Sequence, residues 1–140
     1  MTVATVLLPV FVLVLLTFLL LCAMAGARRA ALVNGEVRMK DVALNEPNWP
    51  VRATQYGNAF RNQFEIPILF YVLVAIALPL RKADLVFVLL SWVFVVSRYA
   101  HAAVFVTSNN VQRRFFAYLS GVIVLLIMWL YFAIRILLGL

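Results

Sequence analysis

Charged residues are scarce in this chain, and acidic residues are the scarcest. Only 12% of the 140 residues are charged, with five Asp and Glu against twelve Lys and Arg. A soluble domain carries about 25% charged residues. A chain that is 66% hydrophobic cannot bury all its apolar side chains in a water-exposed fold. The composition therefore predicts an integral membrane protein, and it excludes soluble enzymes and nucleic-acid-binding proteins.

Cysteine and histidine are almost absent, with one residue of each type. A single cysteine excludes a disulfide framework, and one histidine with one cysteine excludes the ligand spacing of a zinc site. Cys22 lies inside the first apolar run, so we interpret it as a small packing residue. No metal site is predicted.

Long apolar runs make up most of the chain. They extend over about 3–27, 55–80, 83–106 and 115–140. Each is long enough to cross a hydrocarbon core of about 30 Å, and in lipid the backbone must satisfy its own hydrogen bonds. No Lys or Arg precedes the first run, so we expect a retained helix and not a signal peptide. The sequence predicts one all-α domain over residues 1–140, an integral membrane four-helix bundle.

The loop charges predict the orientation. The polar loop 28–54 contains five basic residues and the link 107–114 contains two more, whereas the opposite side has two or three. Because Lys and Arg accumulate in cytoplasmic loops, both of these connections are expected in the cytoplasm. Both termini then face the periplasm of a bacterium. We therefore expect a bacterial inner-membrane protein whose basic residues contact anionic membrane lipids, with the endoplasmic reticulum as the eukaryotic alternative.

Several polar residues lie inside the predicted spans, where a charge costs about 2.5–3.5 kcal/mol on insertion scales. They are Asn58, Arg61, Asn62 and Glu65 in the second span, Arg98 and His101 in the third, and Arg113, Arg114 and Tyr118 in the fourth. The predicted topology puts all three groups at the cytoplasmic end. This convergence predicts a positively charged, partly buried pocket with one carboxylate. Such a pocket suits an anionic ligand that also carries an amine.

Each of these residues also has a purely structural interpretation. Arg61 and Glu65 are spaced as i, i+4, so they can form an ion pair that helps the second span insert. The adjacent Arg113 and Arg114 can be topology anchors that reach the headgroups. His101 can be a hydrogen-bonded interior residue, and Tyr118 can belong to an interfacial aromatic belt. Pro67 favours a kink beside the polar group.

The segment Asn62-Gln63-Phe64-Glu65-Ile66-Pro67 resembles the Arg-x-x-x-Asn-x-x-Glu signature of the MAPEG family, the membrane-associated proteins in eicosanoid and glutathione metabolism. Arg98-Tyr99-Ala100-His101, followed by Arg113-Arg114 and Tyr118, resembles the third and fourth helices of its prostaglandin E synthase branch. The resemblance implies a homotrimer. It also implies that glutathione binds between neighbouring subunits near the cytoplasmic face.

The resemblance implies a role for each site residue. Arg61, Asn62 and Glu65 would contact glutathione from the second helix, with Glu65 receiving the amino group. His101 would line the third-helix side. Arg114 would be the catalytic residue that stabilises the thiolate, with Tyr118 one turn further on. Further predicted binding residues are Arg28, Arg98 and Arg113.

The implied function is that of a glutathione-dependent membrane transferase or peroxidase that conjugates or reduces lipophilic electrophiles. Two departures from the family pattern support an alternative, a non-catalytic lipid-binding or accessory subunit of a membrane complex. The leading arginine of the signature falls at Asn58, and the helix-three tyrosine of several members falls at Phe105. A small transporter is a third interpretation, but paired, interrupted helices are absent.

Overall fold

The computed structural model describes all 140 residues. They form six α-helices with turns and loops between them, and no strand. The helices are α1 Val3–Val33, α2 Met39–Val42, α3 Val51–Asn62, α4 Ile66–Ala77, α5 Leu85–Val106 and α6 Val111–Leu137. Four segments are long and apolar enough to cross a membrane, and α3 and α4 together form one of them. The prediction of an all-α membrane protein with four spans is confirmed.

The core lies where α1, α4, α5 and α6 meet. Phe70 of α4 stacks on Phe94 of α5 with ring centroids 4.9 Å apart, and both side chains are fully buried. Leu13 of α1 and Met128 of α6 are also fully buried. Large apolar side chains such as Phe11 and Leu126 are exposed on the outer faces. This distribution fits a bundle whose outer surface is solvated by lipid.

The helix ends differ from the sequence prediction at the predicted cytoplasmic side. α1 continues to Val33, so Arg28 belongs to its last turns and not to a loop. α6 begins at Val111 because the Asn110 side chain accepts a hydrogen bond from the backbone N–H of Arg113. The 31 residues of α1 span about 46 Å, which exceeds a hydrocarbon core of about 30 Å. Helices therefore extend past the apolar runs that predicted them.

The second predicted span is interrupted. α3 ends at Asn62 and α4 begins at Ile66, with a turn over residues 63–65 between them. Pro67 is the second residue of α4, where its missing N–H costs no helical hydrogen bond. The interruption therefore lies beside the polar group, where the sequence predicts a kink.

At the opposite end of the bundle, Asp84 joins α5 to α6. Its side chain caps α5 by accepting a hydrogen bond of 3.0 Å from the N–H of Phe87. It also accepts a hydrogen bond from the Tyr131 hydroxyl. It forms an ion pair with Arg135, in which Nη1 lies 2.7 Å from Asp84 Oδ2. This network fixes the start of α5 against the last turns of α6.

Candidate functional site

The interruption between α3 and α4 places two polar side chains together. Asn62 is the last residue of α3 and is buried, whereas Glu65 precedes α4 and is exposed. Asn62 Nδ2 donates a hydrogen bond of 2.9 Å to Glu65 Oε2. The turn thus holds the only carboxylate of the predicted pocket next to an amide.

Arg98 of α5 connects this turn to the third span. Its side chain is fully buried, and Nη2 donates a hydrogen bond to Asn62 Oδ1. The same Nη2 lies 3.3 Å from His101 Nδ1. Arg98 Nε and Nη1 are buried without a hydrogen-bond partner, and no carboxylate lies within ion-pair distance of the guanidinium. Arg98 therefore carries a buried positive charge that only polar neutral groups contact directly.

A cavity of about 340 Å³ opens between α5 and α6 beside these groups. The residues lining it are Asn62, His101, Phe105, Val111, Arg114, Phe115 and Tyr118. The His101 ring is 98% buried and lies 5.6 Å from the Tyr118 ring, measured between centroids. Polar side chains from α3, α5 and α6 thus meet in one wall of a cavity whose other lining residues are mainly apolar.

Arg114 is fixed from two sides at the mouth of this cavity. Its Cζ lies 4.4 Å from the centroid of the Phe105 ring, within the range of a cation–π contact. Its Nη1 donates a hydrogen bond of 2.7 Å to Asn109 Oδ1. Asn109 has a φ of +49°, a left-handed conformation that asparagine tolerates better than most residues. The link between α5 and α6 therefore helps to aim the Arg114 guanidinium.

A second, smaller cavity of about 210 Å³ lies between α1, α3 and the first loop. The charged and polar residues that line it include Arg28, Glu46, Thr54, Asn58 and Arg61. Arg28 lies with its Cζ 5.0 Å from the Trp49 ring, and its Nε is buried without a partner. The guanidinium packs on α3 at Gly57, where a Cβ would lie 3.5 Å from Arg28 Nη2, an ordinary contact distance.

The structure brings most of the predicted site residues together. Asn62, Glu65, Arg98, His101, Arg114 and Tyr118 form one connected group. Arg28 and Arg61 line the other cavity, and the exposed Arg113 lines neither. Arg98 lies behind the wall of the larger cavity and not in it.

The possible ion pair between Arg61 and Glu65 does not form. The two ion pairs of the chain are Arg38–Asp41 and Arg135–Asp84. The i, i+4 spacing brings side chains together only within a continuous helix. Because α3 ends at Asn62, Glu65 turns towards Asn62 and Arg61 remains exposed. Asn58 and Asn62, one helical turn apart within α3, also line different cavities.

Sequence reasoning missed three supporting residues. Phe105 appears in the sequence only as a lost hydroxyl, but its ring contacts Arg114. Asn109 is only one polar residue of the link 107–114 in the sequence, but its side chain accepts a hydrogen bond from Arg114. Trp49 was not singled out, although an aromatic residue in a polar loop that contains basic residues is a recognisable cation–π candidate.

The statistical model of the MAPEG family matches residues 6–134 of the chain. No curated protein sequence gives a significant match. No solved structure gives one either.

Proposed function

The chain belongs to the MAPEG family, and on that premise we propose that it is a glutathione-dependent membrane enzyme acting on lipophilic electrophiles. The family includes glutathione transferases and peroxidases, and its members generally use glutathione. The observation that supports this proposal is the wall of the larger cavity, which contains Arg114, His101 and Asn62, and Asn62 is hydrogen-bonded to Glu65. The cavity has the mixed polar and apolar character of a ligand site.

The residues present fit the chemistry of glutathione. Glutathione has two carboxylates, one ammonium group and one thiol. Arg28 and Arg61 can hold carboxylates, and the buried Nε of Arg28 is a donor without a partner in the chain. Glu65 is the acceptor for the ammonium group, because Asn62 holds it at the edge of the larger cavity. The donor set therefore matches a ligand of both charges.

The two cavities are proposed to meet across a subunit interface. One is built from α5, α6 and the end of α3, and the other from α1, the middle of α3 and the first loop. Members of the family are generally trimers. Arg61 and Glu65 are exposed within a membrane-spanning segment, where lipid offers them no partner. A homotrimer that places the Arg28 and Arg61 side of one subunit against the Arg114 side of the next would cover these charges and complete each site.

Bound glutathione supplies the thiol that acts as the nucleophile. Arg114 stabilises negative charge on the sulfur, as cationic surroundings do for cysteine thiolates. Phe105 and Asn109 hold the guanidinium in place, so little reorganisation is needed when the charge develops. The exposed apolar surface of α6, including Phe115 and Phe116, faces lipid beside the cavity. A lipophilic electrophile can therefore reach the site from the bilayer.

The second candidate is a lipid-binding or accessory member without glutathione chemistry. It is favoured by Asn58, which removes one positive charge from the smaller cavity, and by Phe105, which lacks a hydroxyl. This candidate predicts no saturable glutathione binding and a lipid or larger complex that co-purifies with the protein.

The deciding experiment is calorimetric titration of glutathione into the detergent-purified protein and its Glu65→Gln variant. We expect saturable binding that is weakened at least tenfold in the variant, because a hydrogen bond between charged groups contributes about 1.5–3 kcal/mol. The matched control is Asp41→Asn, which removes a carboxylate of the first loop that lines neither cavity. No binding by the folded wild-type protein at millimolar glutathione would favour the second candidate.

Turnover tests the catalytic assignment separately. Arg114→Ala should lower kcat with an aryl halide or lipid hydroperoxide by about 100-fold, the usual effect of losing one group that stabilises transition-state charge. Arg38→Ala removes the same charge from the exposed loop and should leave kcat unchanged. Equal turnover in Arg114→Ala and wild type would refute the role of Arg114.

A further inference from the structure

We propose that Arg98 is a positioning residue that decides which hydrogen-bonding atoms Asn62 and His101 present to the larger cavity. It does so from behind the wall, without contact with a ligand. The identity of the ligand rests on the proposed function, but the arrangement of the wall does not. With glutathione as the proposed ligand, the consequence is that binding depends on Arg98, because Arg98 holds the wall residues His101 and Asn62 in place.

The position of Arg98 separates it from a ligand contact. Its side chain is fully buried, and it is absent from the lining of the cavity, whereas both residues that its Nη2 contacts are part of that lining. The face of the Tyr118 ring covers it at 5.6 Å from Cζ. Gly121 of α6 packs against it, and a Cβ there would lie at an ordinary contact distance of 3.6 Å from Arg98 Cδ. Any effect of Arg98 on a ligand therefore passes through its neighbours.

The first neighbour, Asn62, is oriented by simple donor chemistry. A guanidinium has five donors and no acceptor, so it can be hydrogen-bonded only by the oxygen of the amide. Oδ1 therefore faces Arg98, and Nδ2 is directed to the Glu65 carboxylate. The reversed amide would place two donors against each other and leave Glu65 without this hydrogen bond. Arg98 thus keeps Glu65 in place through Asn62.

The second neighbour, His101, is fixed in one tautomer by the same rule. Arg98 can only donate to Nδ1, so Nδ1 is unprotonated and the proton of the neutral ring lies on Nε2. The other charged or titratable groups around the ring are Arg114 and Tyr118 on α6 and Glu65 beyond Asn62. His101 is therefore a neutral N–H donor in this wall.

The wall then has a defined polarity. His101 Nε2 and Arg114 are donors on the α5 and α6 side, and Glu65 is the acceptor at the turn. The Arg98 guanidinium has no carboxylate in direct contact, and Glu65 is joined to it only through the Asn62 amide. Ligands of the amino-acid or peptide type fit this polarity, whereas neutral ligands and simple cations do not.

The experiment uses the fact that His101 is the only histidine of the chain. Nitrogen-15 spectra of the protein with labelled histidine report its tautomer without resonance assignment. We expect a protonated Nε2 and an unprotonated Nδ1 between pH 6 and 8. In Arg98→Met, which keeps the bulk but removes the donors, we expect a mixture of the two tautomers. Gln63→Met is the matched control, since Gln63 is buried beside Asn62 but bonds only to the Ala59 carbonyl.

A protonated Nδ1 in the wild-type protein would overturn the proposal. This measurement needs no variant, so it tests the proposal even if Arg98→Met does not fold. An unchanged spectrum in folded Arg98→Met, or an equal change in Gln63→Met, would also overturn it. A titration with glutathione forms the second arm, in which Arg98→Met should bind at least tenfold more weakly while Gln63→Met binds as wild type. Loss of glutathione binding in every form, with the expected spectra, would refute the proposed function and leave the positioning role supported.

Discussion

Phe105 and Arg114 are joined by a contact that needs only the aromatic ring. The resemblance implies a tyrosine at this position in several members of the family, and Phe105 lacks its hydroxyl. The ring remains, and its face lies 4.4 Å from the Arg114 guanidinium carbon. Since Asn109 holds the other side of the same guanidinium, Phe105 keeps its geometry without taking part in the chemistry.

Replacing this ring tests that interpretation. Phe105→Leu should lower kcat about tenfold, because a desolvated cation–π contact contributes about 2 kcal/mol at most and part of it is recovered by Asn109. Phe105→Tyr keeps the aromatic face and should retain most of the activity. Steady-state kinetics at saturating glutathione measure both. Wild-type rates in Phe105→Leu would show that Asn109 alone positions Arg114.

At the scale of helices, the contact between α5 and α6 depends on one glycine. A Cβ at Gly121 would lie 3.0 Å from Ser97 Oγ, closer than ordinary packing allows. Gly121→Ala should therefore destabilise the protein by about 1–3 kcal/mol, the usual cost of overpacking. Gly26→Ala in α1 meets nothing within 4 Å and should be neutral or stabilising by up to about 1 kcal/mol. Thermal unfolding in detergent compares the two, and equal transition temperatures would contradict the predicted close approach.

The stability of the opposite ends of α5 and α6, where Asp84 joins the two helices, depends on pH. Burial alone would raise the pKa of Asp84, but the hydrogen bonds from Tyr131 and Phe87 and the Arg135 charge lower it below its ordinary 3.8. A lowered carboxyl pKa contributes stability above the ordinary value, and this contribution is lost as the pH falls through the value in the folded protein. Asp84→Asn should therefore lower the unfolding temperature at pH 7 and reduce its fall below pH 4. Asp41→Asn, in the exposed pair with Arg38, serves as the control. The prediction fails if both variants respond alike.

The sequence predicted the helices better than it predicted the direction of their side chains. Apolar runs and loop charges indicate four spans, because lipid leaves the backbone few alternatives. The grouping of Asn62, His101 and Arg114 follows from topology alone. The separation of Arg61 from Glu65 does not, because it depends on the three-residue turn after Asn62, whose geometry local spacing does not encode. The burial of Arg98 behind the wall likewise depends on packing against Gly121.

At the scale of the whole molecule, the proposed site takes its two halves from different subunits. Arg61→Ala damages the half formed by α1 and α3, and Arg114→Ala damages the half formed by α5 and α6. When both variants are co-expressed and assemble at random, about a quarter of the interfaces pair an intact Arg61 with an intact Arg114. We expect the mixed oligomers to regain about a quarter of wild-type activity while each variant alone remains inactive. Mixed oligomers without any recovery would indicate sites contained within single subunits.

The length of α1 has a consequence for how activity depends on the membrane. The helix exceeds the hydrocarbon core by about 16 Å, and both cavities lie near the end that carries Arg28. On the proposed function, a site near this end of α1 would let a water-soluble thiol and an electrophile dissolved in the bilayer meet without either changing phase. The effective dose of the electrophile is then its mole fraction in lipid. Added empty vesicles would dilute the electrophile in lipid and leave the thiol concentration in water unchanged. At fixed amounts of enzyme and electrophile, the reaction would therefore be slower when more membrane is present.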